Sequence, residues 1–207
     1  GKRADGMNLV KAMQTAGYQY LANRTDFDTL DTSKSTKVLG LFSGSHMSYD
    51  LDRDATKEPS LAEMSVKAVQ VLNHNPKGYF LMVEGGRIDH ALHETTAKKA
   101  LQDTIAFDDA IKAVIAEAKK VDPSMANTTI IVTADHDHTL VLNGYAKRLG
   151  KSTATEAGVL GVVKDPVSGN TSKDADGKPY TIIGFGNGEN RVNANRNSMA
   201  DITDGNS

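Results

Sequence analysis

Two short segments concentrate groups that can bind metal: Glu84-Gly-Gly-Arg-Ile-Asp89-His90-Ala-Leu-His93 and Thr133-Ala-Asp135-His136-Asp137-His138. They hold four of the six histidines, together with four carboxylates. Asp89 and His93 are four residues apart where a helical pattern begins. Side chains at i and i+4 share one face of a helix, so a carboxylate and an imidazole there can grip one cation from adjacent turns. Zn²⁺ accepts such mixed nitrogen and oxygen donors. Glu84 is a hard oxygen donor that suits the same ion or a Mg²⁺. Asp135 and His136 are adjacent, and His138 reads as a ligand or as a group that orients one.

Each residue also has a plainer reading. Glu84 can be a helix N-terminal anion or a salt-bridge partner. Asp89 can cap a helix, and His93 can be a half-buried helix histidine. Asp135 can belong to an ordinary turn. The two clusters together outweigh those separate readings, because each directly follows an apolar run, Tyr79–Val83 or Thr129–Thr133. His90 shares no helical face with both Asp89 and His93 and reads as outer-shell or surface. His46 and His74 read as loop histidines. The zinc-protease spacings H-E-x-x-H and H-x-x-E-H are absent, as are the glycine-rich phosphate loops.

The elements that must position these groups follow from periodicity. Helices are expected over Met7–Thr15, at a turn Thr25–Leu30 capped by Thr25, from the capping box Ser60-Leu-Ala-Glu63 to Leu72, and from His90 to Lys119. Buried strands are expected at Lys37–Phe42, Tyr79–Val83 and Thr129–Thr133, with shorter ones at Tyr18–Leu21, Gly158–Val163 and Tyr180–Phe185. Gly85-Gly86 are expected to let the chain turn sharply. Helix and strand alternate from Ser60 to His136, which predicts an α/β fold with a mostly parallel central sheet flanked by helices. In such sheets ligands bind at the carboxyl ends of strands.

Composition narrows the field. The 207 residues carry a net charge of −2 and no cysteine. Thiolate metal sites, disulfides and cysteine nucleophiles are excluded. Nothing marks a nucleic-acid footprint, and no apolar run is long enough to span a bilayer. The first residues lack the apolar region of a signal peptide and an initiator Met, so the chain reads as a piece of something longer. Residues 1–190 read as one part of an α/β domain, and 191–207 as a polar tail or loop.

Val83-Glu-Gly-Gly-Arg-Ile-Asp-His90 and Val132-Thr-Ala-Asp-His136 with His138 resemble the signature segments of the alkaline phosphatases. The resemblance extends through Asp5–Val10, Leu39–Phe42, Pro59–Met64, Asn75–Gly78, Phe107–Ile111 and Gly184–Gly188, and suggests the C-terminal half of such an enzyme. It implies two zinc sites and one magnesium site. Asp89 and His93 would bind the first zinc, Asp135 and His136 the second, and Glu84 the magnesium, with His138 close by in the outer shell. It implies hydrolysis of phosphate monoesters through a phosphoserine intermediate, a periplasmic or secreted location, and a homodimer. The family's nucleophilic serine in an Asp-Ser-Ala context, an earlier bridging aspartate and the phosphate-binding arginine have no counterpart here, and no histidine follows His138. Ser43 stands where animal members place an acidic calcium ligand, so that site is not expected. No catalytic residue is therefore assigned to this chain, and alone it is expected to be inactive. A related sulfatase or phosphodiesterase, or a non-catalytic metal-binding fragment, are the alternatives.

Overall fold

The computed structural model describes residues 4–146, 148–149, 152–153 and 155–186. In chain order its elements are α1 (Leu9–Thr15), β1 (Gln19–Leu21), α2 (Arg24–Asp28), β2 (Val38–Gly40), α3 (Leu61–Leu72), α4 (Arg87–His93), α5 (Ala97–Ala118), β3 (Leu140–Leu142) and β4 (Ile183–Phe185). Contacts group the chain into two units: 1–85 with 102–132, and 86–101 with 133–207. The proposed tail at 191–207 lies outside the described residues.

In the first unit, β1 and β2 pair in parallel, with Gln19 opposite Val38 and Leu21 opposite Gly40. A side chain at Gly40 would put its Cβ 2.9 Å from the Phe42 ring. The missing Cβ thus lets Phe42 join Leu21, Phe27 and Leu30 in the core, with Val38 and Met64 packed against them. Phe27 meets Phe42 edge to face at 5.7 Å. The cap of α2 is Asn23, whose side chain accepts from the Asp26 N–H, and not Thr25 as the sequence suggested. Asn leads the N-cap preferences, and the cap lies two residues earlier than expected.

The α2 helix is tied to α3 by charge. Arg24 donates to both oxygens of Glu63, at 2.7 and 3.1 Å, and Lys67 Nζ donates to the Phe27 carbonyl. Glu63 also closes the expected capping box, accepting from the Ser60 N–H while Ser60 Oγ accepts from the Glu63 N–H. Further along, Gln70 of α3 donates to Glu117 of α5 at 3.0 Å, and the Asp50 N–H donates to the buried Asp103. The inward side of α5 therefore includes two carboxylates, whereas Ile105 is exposed.

The central parallel sheet is not present among the described residues. They hold two sheets of two strands each: β1 with β2, and antiparallel β3 with β4. Neither 79–83 nor 129–133 is a strand. A strand buried in a parallel sheet needs ladder partners, and helices covering both faces. Without these, Phe80 and Ile131 stand 89% and 83% exposed. The run Lys37–Phe42 shortens to β2, and Gly158–Val163 becomes a 3-10 turn at Gly158–Leu160 followed by a single bridge from Val162 to Thr181.

In the second unit, β3 and β4 run antiparallel, Leu140 opposite Phe185 and Leu142 opposite Ile183. β4 is wholly buried. The single long helix expected over His90–Lys119 is broken between His93 and Ala97. The Thr95 N–H donates to the Leu92 carbonyl and the Thr96 N–H to the Ala91 carbonyl at 2.9 Å. That is a Schellman C-cap, which needs a left-handed residue, usually glycine. Here the residue is Thr95, at φ 58°. Gly86 begins α4 at φ −62°, a conformation open to any residue, so the expected glycine-dependent turn is not made there.

Two predictions follow from this packing. Partial burial works to raise the Glu63 carboxyl, but hydrogen bonds from Arg24 and Ser60 overcome it and hold it at about 2, against an ordinary 4.5. A depressed folded pKa contributes stability above the unfolded value and loses it as pH falls toward the folded one. Thermal melts should thus lose stability from about pH 5 to about pH 2, and Glu63→Gln should flatten that slope; an unchanged slope contradicts the assignment. At the α4–α5 junction, a β-branched residue held left-handed is strained, and Thr95 Oγ1 is buried without a hydrogen bond. Thr95→Gly should raise stability by about 1 kcal/mol, read as a higher urea midpoint; a lower midpoint contradicts the strain.

Candidate metal centre

Asp89, His93, Asp135, His136 and His138 all belong to the second unit. The first two come from α4, where the four-residue spacing places them on one face as the sequence predicts. His93 Nε2 lies 3.4 Å from Asp89 Oδ1. The other three come from the irregular segment before β3. His136 Nε2 and His138 Nε2 each lie 3.8 Å from the same Asp89 Oδ1. Three imidazoles thus surround one carboxylate oxygen.

Those separations exceed hydrogen-bond length. Asp89 Oδ1 is buried and makes no hydrogen bond, and the same holds for His138 Nδ1. The rest of the Asp89 side chain reaches solvent, which leaves 39% of it exposed. A buried polar atom left unsatisfied costs about 1–3 kcal/mol. A cation seated beside Asp89 Oδ1 would remove that cost at the carboxylate. Donors at about 2.0–2.1 Å from a tetrahedral zinc lie about 3.4 Å from one another, which is the His93–Asp89 separation. The Asp89, His93 and His138 ligand atoms all fall within 4.8 Å of one another. Among the described residues, Asp89, His93 and His138 form a group that could hold a metal ion.

His136 is oriented by its own backbone. Its Nδ1 lies 2.8 Å from the Asp137 carbonyl. A carbonyl only accepts, so Nδ1 donates and carries a proton. That hydrogen bond, followed by the charges on Asp135, Asp89 and Asp137, raises the His136 pKa. Asp135 is 89% exposed; its Oδ2 lies 3.6 Å from His136 Nε2, and its Oδ1 accepts the His136 N–H. His136 therefore stands between Asp135 on one side and Asp89 on the other.

Glu84 is exposed and belongs to the first unit. His90 Nδ1 pairs with the Arg87 guanidinium at 2.9 Å and is not in the cluster. His74 Nε2 pairs with the Thr32 carbonyl, and His46 lies in the 43–59 loop. His138, read from the sequence as a ligand or a group that orients one, is the least exposed of the three imidazoles at 12%.

A family model described as alkaline phosphatase matches residues 1–207. The chain is 41% identical over 194 residues to a membrane-bound alkaline phosphatase of Bombyx mori, covering 91% of this chain and 32% of that protein. It is 40% identical to the tissue-nonspecific alkaline phosphatase of Homo sapiens, covering 91% of this chain and 33% of the other. The solved alkaline phosphatase of Thermus thermophilus superposes with a TM-score of 0.52 at 33% identity, over 59% of this chain and 25% of that one. The chain spans about a third of the length of the relatives named. On the match over its whole length, the chain belongs to the alkaline phosphatase family.

Proposed function

We propose that this chain is the metal-binding, C-terminal portion of a phosphate monoester hydrolase that works through a phosphoserine intermediate, with the nucleophile supplied outside these residues. The observation that carries the reading is the convergence of three imidazole nitrogens on the buried Asp89 Oδ1 at 3.4–3.8 Å. Asp89 and His93 would hold one zinc, Asp135 and His136 a second, and Glu84 a magnesium. When bound, such ions act as Lewis acids on phosphoryl oxygens and lower the pKa of an attacking oxygen.

The residues present have distinct tasks. Asp89 offers its buried oxygen from a helix whose C-terminus is locked by the Thr95 and Thr96 N–H groups, so its position is fixed before any ligand arrives. His93, one turn on, shares that rigid support. The Asp137 carbonyl accepts from His136 Nδ1 and holds the orientation of the ring. Asp135, largely exposed, stands where substrate and solvent can reach it. A phosphate ester is an anion, and neutral imidazoles with a divalent cation would give it a positive seat. We place the protein outside the cytoplasm, periplasmic or secreted, and as a homodimer when intact. No helix among the described residues is long and apolar enough to cross a membrane.

The test uses the complete reading frame that contains this chain. Its product should hydrolyse p-nitrophenyl phosphate, Asp89→Ala should lower turnover about 100-fold or more, and the 207-residue chain alone should show none. Turnover by the chain alone, or a preference of the complete protein for sulfate esters, contradicts the proposal.

A further inference from the structure

We infer that Thr95 is a positioning residue for Asp89 and His93: its buried, branched side chain fixes the end of α4 and so the place of both donors. This rests on the metal-site reading above and extends it to a residue that binds no ion.

α4 is short and unevenly anchored. Its seven residues are too few to hold a helix in water unaided. At its N-terminal end, Gly86 provides no side-chain cap. At its C-terminal end the backbone closes firmly. The Glu94 N–H donates to the His90 carbonyl at 3.0 Å, the Thr95 N–H to the Leu92 carbonyl at 3.2 Å, and the Thr96 N–H to the Ala91 carbonyl at 2.9 Å. Thr96 Oγ1 donates to the same Ala91 carbonyl at 3.2 Å. His93 is the last residue of α4, and its side chain is 63% exposed. An exposed ring is held chiefly through its backbone, so its place follows from where and how α4 ends.

Thr95 is an unfavourable residue for that end. It stands at φ 58°, where a branched side chain is strained and glycine is not. Its Oγ1 is buried without a hydrogen bond. Its N–H closes the cap, but a glycine N–H would do the same. What threonine adds is a side chain, and the residue is only 5% exposed. Enclosure by its neighbours keeps the backbone from leaving the left-handed region. Glycine would sit there relaxed, yet free to sample other dihedrals. A less definite end to α4 lowers the fraction of molecules with both donors in place, and apparent affinity falls with that fraction.

The test titrates the purified 207-residue chain with Zn²⁺ against a competing chelator, and unfolds each variant in urea with EDTA present. Thr95→Gly should raise the urea midpoint yet weaken Zn²⁺ about 10-fold, as losing a supporting group around a metal does. Thr95→Val keeps the branch and drops only the hydroxyl, so it should keep wild-type affinity. If Thr95→Gly binds Zn²⁺ as tightly as the wild type, Thr95 is merely a strained cap and the inference falls. It falls also if Thr95→Val weakens Zn²⁺ as much as Thr95→Gly, because the hydroxyl then carries the effect. A lower midpoint for Thr95→Gly together with weaker binding overturns it too, since lost stability then explains the loss. Asp89→Ala and His93→Ala should abolish binding; if they leave it unchanged, the metal-site reading itself fails, whatever Thr95 does.

Discussion

A carboxylate oxygen removed from water needs a positive partner. Asp89 Oδ1 is buried, forms no hydrogen bond, and has three imidazole nitrogens around it at 3.4–3.8 Å. Donors at that distance do not satisfy one another. They share a position that a small divalent ion can fill. The local structure of the second unit bears on this point, because it brings a helix face and an irregular segment to one oxygen.

The helix does its part through a short, firmly ended α4. A continuous helix from His90 onward would carry His93 and the residues after it along a single axis. The Schellman cap stops α4 at His93 and redirects the chain into α5. Thr95 adopts the left-handed conformation that this cap requires, although glycine is the residue that adopts it freely. Backbone strain of this kind persists where the surroundings over-determine it, and it gathers at functional sites.

Much of the site was legible in the sequence because it rests on local rules. Asp89 and His93 meet because i and i+4 meet on any helix, and the capping box at Ser60 is a local hydrogen-bond pair. The central sheet was not legible. Tyr79–Val83 and Thr129–Thr133 have the composition of buried strands, but a strand is made by its neighbours, and these segments have no ladder partners among the described residues. Their apolar side chains, Phe80, Met82, Ile131 and Val132, stand exposed in the first unit. The buried polar groups of α5 were not legible for a related reason. Periodicity counts apolar residues, whereas Asp103 and Glu117 are buried because Asp50 and Gln70 supply hydrogen bonds from distant parts of the chain. The low exposure of His138 was not legible, because nothing in a linear pattern reports which of several imidazoles is withdrawn from water.

The account turns on whether a cation belongs among Asp89 and its imidazoles. X-ray absorption at the zinc edge of the Zn²⁺-loaded chain reads that shell directly. The account predicts nitrogen and oxygen donors at about 2.0–2.1 Å, with the outer-shell scattering of at least two imidazole rings, lost in Asp89→Ala. A shell of water oxygens with no imidazole signature would contradict it.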